Sequence, residues 1–254
     1  MSLKKTSGFV VKSITVSETD SIIHLLGEDG IKSKFKLKGI KKSKSRPIVS
    51  SEIGSLISID YYSHEKNEIS NIKEVSVIDR FDKLKSNYTG FLILTYISEL
   101  IDSVIPENYE QKQIYELYQK AIFTLNEEKI FFQFLPFFKI RLLHLLGLLS
   151  REQNCSVCGE DLKSIGSASI HYQNLEFICK NCVQITKEQI GLIFLIDYLF
   201  KNRYVNIDFT KTSNSDIFEL DRILNEFLRI YLNKELKSFE ILYHSVGGQI
   251  ELLD

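Results

Sequence analysis

Lys32-Ser33-Lys34-Phe35-Lys36-Leu37-Lys38 carries a lysine at every second position. A period of two belongs to an extended strand, where successive side chains point to opposite faces. The reading puts Lys32, Lys34, Lys36 and Lys38 on one face. Ser33, Phe35 and Leu37 lie on the other, with Phe35 and Leu37 available to a core. Just upstream, Glu28-Asp29-Gly30 supplies an Asp-Gly hairpin signal that joins this strand to the apolar run Asp20 to Gly27. Gly8 to Val16, Ile53 to Tyr62 and Ile69 to Ile78 read as three more strands. Five short strands within about seventy residues suit a small Greek-key barrel of the OB type, with an SH3-like barrel as the competing solution. The barrel is expected over residues 1–79.

The charge on that strand does not stop at its end. Between Gly30 and Ser51 stand Lys32, Lys34, Lys36, Lys38, Lys41, Lys42, Lys44 and Arg46, with no acidic residue among them. The formal net charge of the chain is −1, so without these eight cations the remainder carries −9. A positive field confined to one segment of an otherwise acidic protein attracts polyanions locally. A lysine-blunted edge strand is the bland alternative. Four lysines on one face followed by four more cations in a loop exceed that need, and all eight residues are candidate nucleic-acid contacts. Seven of the eight are lysines, which act as point charges on phosphate and do not read base edges by bidentate forks. Tyr62 is the one modest candidate for base stacking.

Near Arg80 the period changes to that of a helix. Phe81 to Val104, Tyr109 to Leu125 and the very apolar Ile130 to Leu149 are predicted helices, the last as the buried centre of a bundle. Gln133, Lys139, Arg141, His144 and Pro136 within it argue against a membrane span. Pro136 is expected in its first turn or at a kink. Lys139 and Arg141 are expected in buried ion pairs and not on an acidic partner. Thr186-Lys187-Glu188-Gln189 reads as a capping box opening a helix that reaches about Phe200, with Ile185 and Ile190 as its hydrophobic staple. A last helix is expected from Ser215 to Lys234, and a loosely held end from Ser245 onward. The fold class is therefore α+β: an OB-type barrel, then a helical domain over residues 80–254.

All four cysteines of the chain fall into one pattern, Cys155-x-x-Cys158 and Cys179-x-x-Cys182. Two such knuckles at this separation match a tetrahedral zinc site, and a ribbon is expected at about residues 152–185. Four thiolates fill the coordination shell and leave no place for a catalytic water, so the zinc is structural. The N-terminus lacks the apolar core of a signal peptide, which fits reduced cysteines in a cytoplasmic protein.

No catalytic constellation stands out: the sequence has no P-loop, no G-x-G-x-x-G and no G-x-S-x-G. The histidines, at 24, 64, 144, 171 and 244, are scattered singly. Glu18 and Asp20 read as a solvated turn. Composition and metal pattern therefore point to a binding protein. An RNA-binding or transcription-associated OB and zinc-ribbon protein fits the charge and the metal equally well.

Three stretches narrow the choice. Gly8-Phe9-Val10-Val11-Lys12 with the Glu18-x-Asp20 pair resembles the opening of the RecO family of bacterial recombinational DNA-repair mediators. Lys38-Gly39-Ile40-Lys41-Lys42-Ser43-Lys44-Ser45-Arg46 is similar to that family's K-G-x-(R/K)-K-x-K-S-R signature. Arg141-Leu142-Leu143-x-Leu145-Leu146-Gly147-Leu148, followed by Cys155-x-x-Cys158-Gly159, resembles its junction of helix and zinc site. The resemblance implies a non-enzymatic protein, cytoplasmic and nucleoid-associated, that binds single- and double-stranded DNA and anneals complementary strands. It also implies association with RecR and with single-strand-binding protein, and help in loading the RecA recombinase. By motif, Lys38, Lys41, Lys42, Lys44 and Arg46 would contact DNA.

Overall fold

The computed structural model describes residues 2–43, 46–63, 69–127, 132–208 and 212–250. The N-terminal strands are β1 (Ser2–Thr15), β2 (Ser21–Gly27), β3 (Lys32–Leu37), β4 (Leu56–Ser63) and β5 (Ile69–Asp79). They close into a barrel of order β1-β2-β3-β5-β4, with β3 and β5 parallel and the remaining pairs antiparallel. This is the OB arrangement, and the SH3-like alternative falls away. The long β1 pairs with β2 through Gly8–Thr15 and with β4 through Ser2–Phe9, which lets one strand serve both sides of the closure.

Val10, Ile23, Leu25, Phe35, Leu37, Ile40, Ile57, Ile59 and Ile72 form the barrel core. Phe35 meets Tyr61 edge-on at 4.8 Å between ring centroids. The alternation in β3 thus does what its period requires, with Phe35 and Leu37 inward.

The helices are α1 (Asp82–Ser86), α2 (Tyr88–Val104), α3 (Lys112–Glu127), α4 (Phe134–Leu145), α5 (Leu162–Ile165), α6 (Ile190–Lys201), α7 (Asn214–Leu232) and α8 (Lys237–Ile250). The single helix expected from Phe81 to Val104 is broken at Asn87, whose Oδ1 accepts from the Gly90 N–H at 2.8 Å and caps α2. An Asn that competes for a backbone donor ends one helix and begins the next. The segment predicted as Ile130 to Leu149 is helical only over Phe134–Leu145, and residues 128–131 lie outside the described ones. Pro136 sits in the first turn, where its missing N–H costs nothing. A Schellman closure ends α4: Leu148 N–H donates to Leu143 and Gly147 N–H to His144, with Gly147 at φ 74°. Among the described residues no helix is long and apolar enough to cross a membrane.

One sequence expectation fails in the C-terminal part. Thr186 does not cap α6, which starts at Ile190. Glu188 accepts instead from the backbone N–H groups of Ala168, Gln189 and Ile190, tying the helix start to the ribbon. The end from Ser245, expected to be loosely held, is helical as far as Ile250 as the last part of α8, and residues 251–254 lie outside the described ones. The first turns of α8 pack on α2. Ser238 N–H donates to Glu99 at 2.9 Å, the Tyr96 and Phe239 rings lie 5.6 Å apart, and Leu242 is buried.

The chain divides into two compact units, Met1–Ile130 with Leu236–Asp254, and Phe131–Glu235. The change from strand to helix falls near residue 80, as the sequence reading has it, but the compact units divide elsewhere. Phe9 explains why the barrel and α1 to α3 cohere: its ring lies 5.5–6.1 Å from those of Phe81, Tyr115 and Tyr118. In the second unit α4 is buried through Phe134, Leu135, Phe138, Ile140, Leu142 and Leu143. Lys139 and Asp221 form a fully buried pair at 2.9 Å. Burial pushes Asp221 up and Lys139 down, opposing the attraction between them. Arg141 donates to the Asn202 carbonyl at 2.6 Å and stacks over Phe137 at 3.6 Å, and among the described residues it makes no ion pair of the kind expected.

Candidate nucleic-acid face and metal centre

Strand geometry puts the β3 lysines on one side, but that side is not all open to solvent. Lys32 is buried, with 6% of its surface exposed. Its Nζ donates to the Asp102 carbonyl and lies 3.3 Å from the Asp102 carboxylate. Asp102 also receives His24 Nδ1 at 2.6 Å and Lys12 Nζ at 3.1 Å. Burial works to raise the Asp102 carboxyl, but the hydrogen bond from His24 and the charge of Lys32 outweigh it and hold the group well below the usual carboxylate range. Lys32 as a solvent-facing phosphate contact is therefore corrected: its charge is spent inside the protein.

The next two lysines are half-buried and paired. Lys34 Nζ lies 2.5 Å from Glu107, and Lys36 Nζ lies 3.1 Å from Asp20. Asp20 also accepts from the Gly39 N–H at 2.9 Å, so its carboxylate pins the exit of β3. That backbone bond, with those from Lys36 and Thr19, holds Asp20 at about 2. Asp20 is thus a structural hub and not the solvated turn residue the sequence suggested.

Beyond Leu37 the face opens. Lys38, Lys41 and Lys42 are exposed. Lys41 Nζ reaches Thr15 Oγ1 at 3.0 Å, and Lys42 has only a 3.8 Å approach to the exposed Glu18. Arg46 donates to the carbonyls of Lys38 and Lys73 at 2.9 and 2.7 Å, so its fork stitches the loop to β5. Lys44 lies outside the described residues. Tyr62 is half-buried on β4.

Asp102 and Glu107 are the residues that reading the sequence missed, and Asp20 the one it misread. Asp102 had a weak signal, an acid near the end of a largely apolar helix. Glu107 had none.

The second site is built by the ribbon. β6 (Ala168–His171) and β7 (Glu176–Cys179) form an antiparallel hairpin. Cys179 ends β7, and Ser156 N–H donates to the Phe177 carbonyl at 2.8 Å, bringing the first knuckle against the hairpin. Each knuckle turns on its own backbone, with Gly159 N–H donating to Cys155 and Val183 N–H to Cys179. The four sulfurs, from Cys155, Cys158, Cys179 and Cys182, all lie within 4.8 Å of one another and form no disulfide.

This donor set fits a metal ion. Burial works to raise the Cys155 thiol, yet N–H groups of Cys158 and Cys179 bring it down to about 6. Hydrogen bonds with Cys158 and Cys179 push Cys182 up to about 12. Four thiolates at this spacing repel one another unless a cation sits among them. His171 is exposed on the hairpin.

An OB barrel with a basic exit from its third strand, followed by helices and a four-cysteine cluster suited to a metal ion, defines the α+β class of this protein. The family model for the RecO N-terminal domain matches residues 1–81, and that for the RecO C-terminal domain matches residues 85–240. The chain belongs to the RecO family. It is 33% identical over 247 residues to the DNA repair protein RecO of Leptospira biflexa, covering 97% of this chain and 99% of that protein. The DNA repair protein RecO of Caldanaerobacter subterraneus is 28% identical over 94% of this chain and 96% of its own length.

Proposed function

We propose that this protein is a non-enzymatic, cytoplasmic recombination mediator in DNA repair. It binds single- and double-stranded DNA, anneals complementary strands and helps load the RecA recombinase onto DNA coated by single-strand-binding protein, in association with RecR. The observation that carries this reading is the exposed run Lys38, Lys41 and Lys42 at the exit of β3, on an OB barrel, in a chain that belongs to the RecO family. Lys34 and Lys36 flank that run, and Lys44 continues it in sequence. Lysines on this face neutralise phosphates without selecting bases, which suits a protein that must act on any sequence. Residues 1–79 form the DNA-binding part. Residues 80–254 carry the helices and the ribbon.

The metal is zinc, in a structural role. A tetrahedral zinc–thiolate centre with bonds of about 2.3 Å has sulfurs about 3.8 Å apart, and Cys158 and Cys179 already stand at 3.7 Å. Cys155, Cys158, Cys179 and Cys182 would hold the ion and fix the ribbon.

The test is an annealing assay on complementary oligonucleotides coated with single-strand-binding protein. Faster annealing than without the protein is the expected result. Absence of any acceleration, or tight preference for structured RNA in competition with single-stranded DNA, overturns the reading.

A further inference from the structure

Glu107 is held against the basic face by backbone and not by its ion pair alone. The segment from Glu107 to Gln111 runs beside the start of β3 as a short strap. Asn108 N–H donates to the Lys32 carbonyl at 3.3 Å, and Gln111 N–H to the Gly30 carbonyl at 3.1 Å. Lys112 Nζ donates to the Glu28 carbonyl. Gly30, at φ 83°, makes the approach possible, because a Cβ there would stand 2.4 Å from the Lys112 nitrogen. The strap therefore delivers the Glu107 carboxylate to Lys34 ready placed, at 2.5 Å, with 37% of the Glu107 side chain still exposed.

We propose that Glu107 is a built-in competitor for nucleic-acid phosphate, an autoinhibitory contact that Lys34 must release before it binds DNA. This rests on the basic face being the DNA-binding surface. A carboxylate and a phosphate oxygen offer the ammonium the same kind of partner, so the exchange replaces one charge-assisted hydrogen bond by another. The pair is partly solvated, and pairs of that kind contribute little, so a polyanion that engages neighbouring lysines at once displaces the carboxylate. A lone anion does not. Lys38, Lys41 and Lys42 are open from the start and make the first contact. Lys34 joins only on a strand that extends along β3, which favours long single strands over short oligonucleotides.

Fluorescence anisotropy with a labelled oligo-dT tests this on the full chain. Glu107→Gln keeps the strap's backbone bonds and is expected to bind about two- to fivefold more tightly at low salt, with the gain shrinking as salt rises. Glu110→Gln removes the same charge from the same strap, where Glu110 is exposed, and is expected to gain less. Lys34→Gln should weaken binding, and adding Glu107→Gln to it should restore nothing. If Glu107→Gln and Glu110→Gln strengthen binding equally, or the gain persists without Lys34, Glu107 acts only as distant charge and the proposal fails. If Lys41→Gln with Lys42→Gln weakens binding while Glu107→Gln leaves it unchanged, this inference alone falls. If none of the lysine variants alters binding, the DNA-binding reading of the face falls and takes the inference with it.

Discussion

At the scale of single residues, Asp102 is where electrostatics is most exposed to test. Two lysines and a histidine converge on one nearly buried carboxylate. Removing the acid strands the buried Lys32 ammonium, whereas removing one of the three donors leaves the acid with two partners. Breaking a buried pair from the side that leaves unpaired charge costs about 3–5 kcal/mol, while an apolar replacement of a paired group is often neutral. Asp102→Asn is therefore expected to lower stability by about that amount and Lys32→Met by much less, as measured by urea unfolding. The same carboxyl makes stability depend on pH. Its folded-state value is depressed, so the unfolded chain binds more protons there, and the contribution of Asp102 is complete above the ordinary aspartate value of about 3.9. It drains away as pH falls below that value. In Asp102→Asn that part of the acid limb should be missing. An unchanged acid limb would show that the cluster does not govern acid stability.

At the scale of elements, α4 and the ribbon make separate demands. Phe134 and Leu142 are buried in α4 with about 1% or less of their surface exposed. Truncation of either to Ala removes packed atoms and leaves a cavity, at an expected cost of about 2–5 kcal/mol. Unchanged denaturant midpoints for both variants would mean that this helix is not the core of its unit. The buried Lys139–Asp221 pair predicts an asymmetry of another kind: Asp221→Ala should destabilise strongly, and the double change Lys139→Met with Asp221→Leu much less, because the double change leaves no charge without a partner. The ribbon brings four sulfurs from two separate turns within 4.8 Å of one another, so its order should depend on the metal. Metal analysis of reduced protein is expected to give one zinc per chain. Cys179→Ser should lower that content and the stability of the second unit while leaving the barrel folded. Zinc-free protein with an intact ribbon, seen by hydrogen exchange, would contradict this.

At the scale of the whole molecule, the corrected charge map changes the expected thermodynamics of binding little and its residues considerably. With Lys32 buried and Arg46 committed to carbonyls, the face consists of the open Lys38, Lys41 and Lys42 together with Lys34 and Lys36, whose carboxylate partners a strand must displace. About five phosphate contacts on a single strand give a log–log salt slope of about −3 to −4. Changing Lys41 and Lys42 together to Gln should weaken binding of all sequences alike and flatten that slope by about 1 to 1.5. An unchanged slope would move the DNA path off the barrel. Because both side chains are exposed and make only surface contacts, the melting temperature of that variant should be unchanged.

The sequence alone determined the barrel strands, the inward set Phe35 and Leu37 and the four-cysteine cluster. Each depends on spacing within a short stretch: a period of two is a strand wherever it folds, and a Cys-x-x-Cys knuckle turns on its own backbone. The tertiary structure decided what covers each face. Alternation says that Lys32 and Lys36 share a side, but not that Asp102 lies over one and Asp20 beside the other. Lys32 meets its acid across 70 positions of chain, and no local pattern encodes a partner at that distance. Helix ends escaped for a related reason. Glu188 was read as part of a capping box, but that it would also take the Ala168 N–H depended on where the ribbon came to rest. The helix from Lys237 was not read from the sequence at all. It forms because its first turns found Tyr96 and Glu99 on α2, and a surface supplied by a distant segment stabilises a helix that its own sequence would leave marginal.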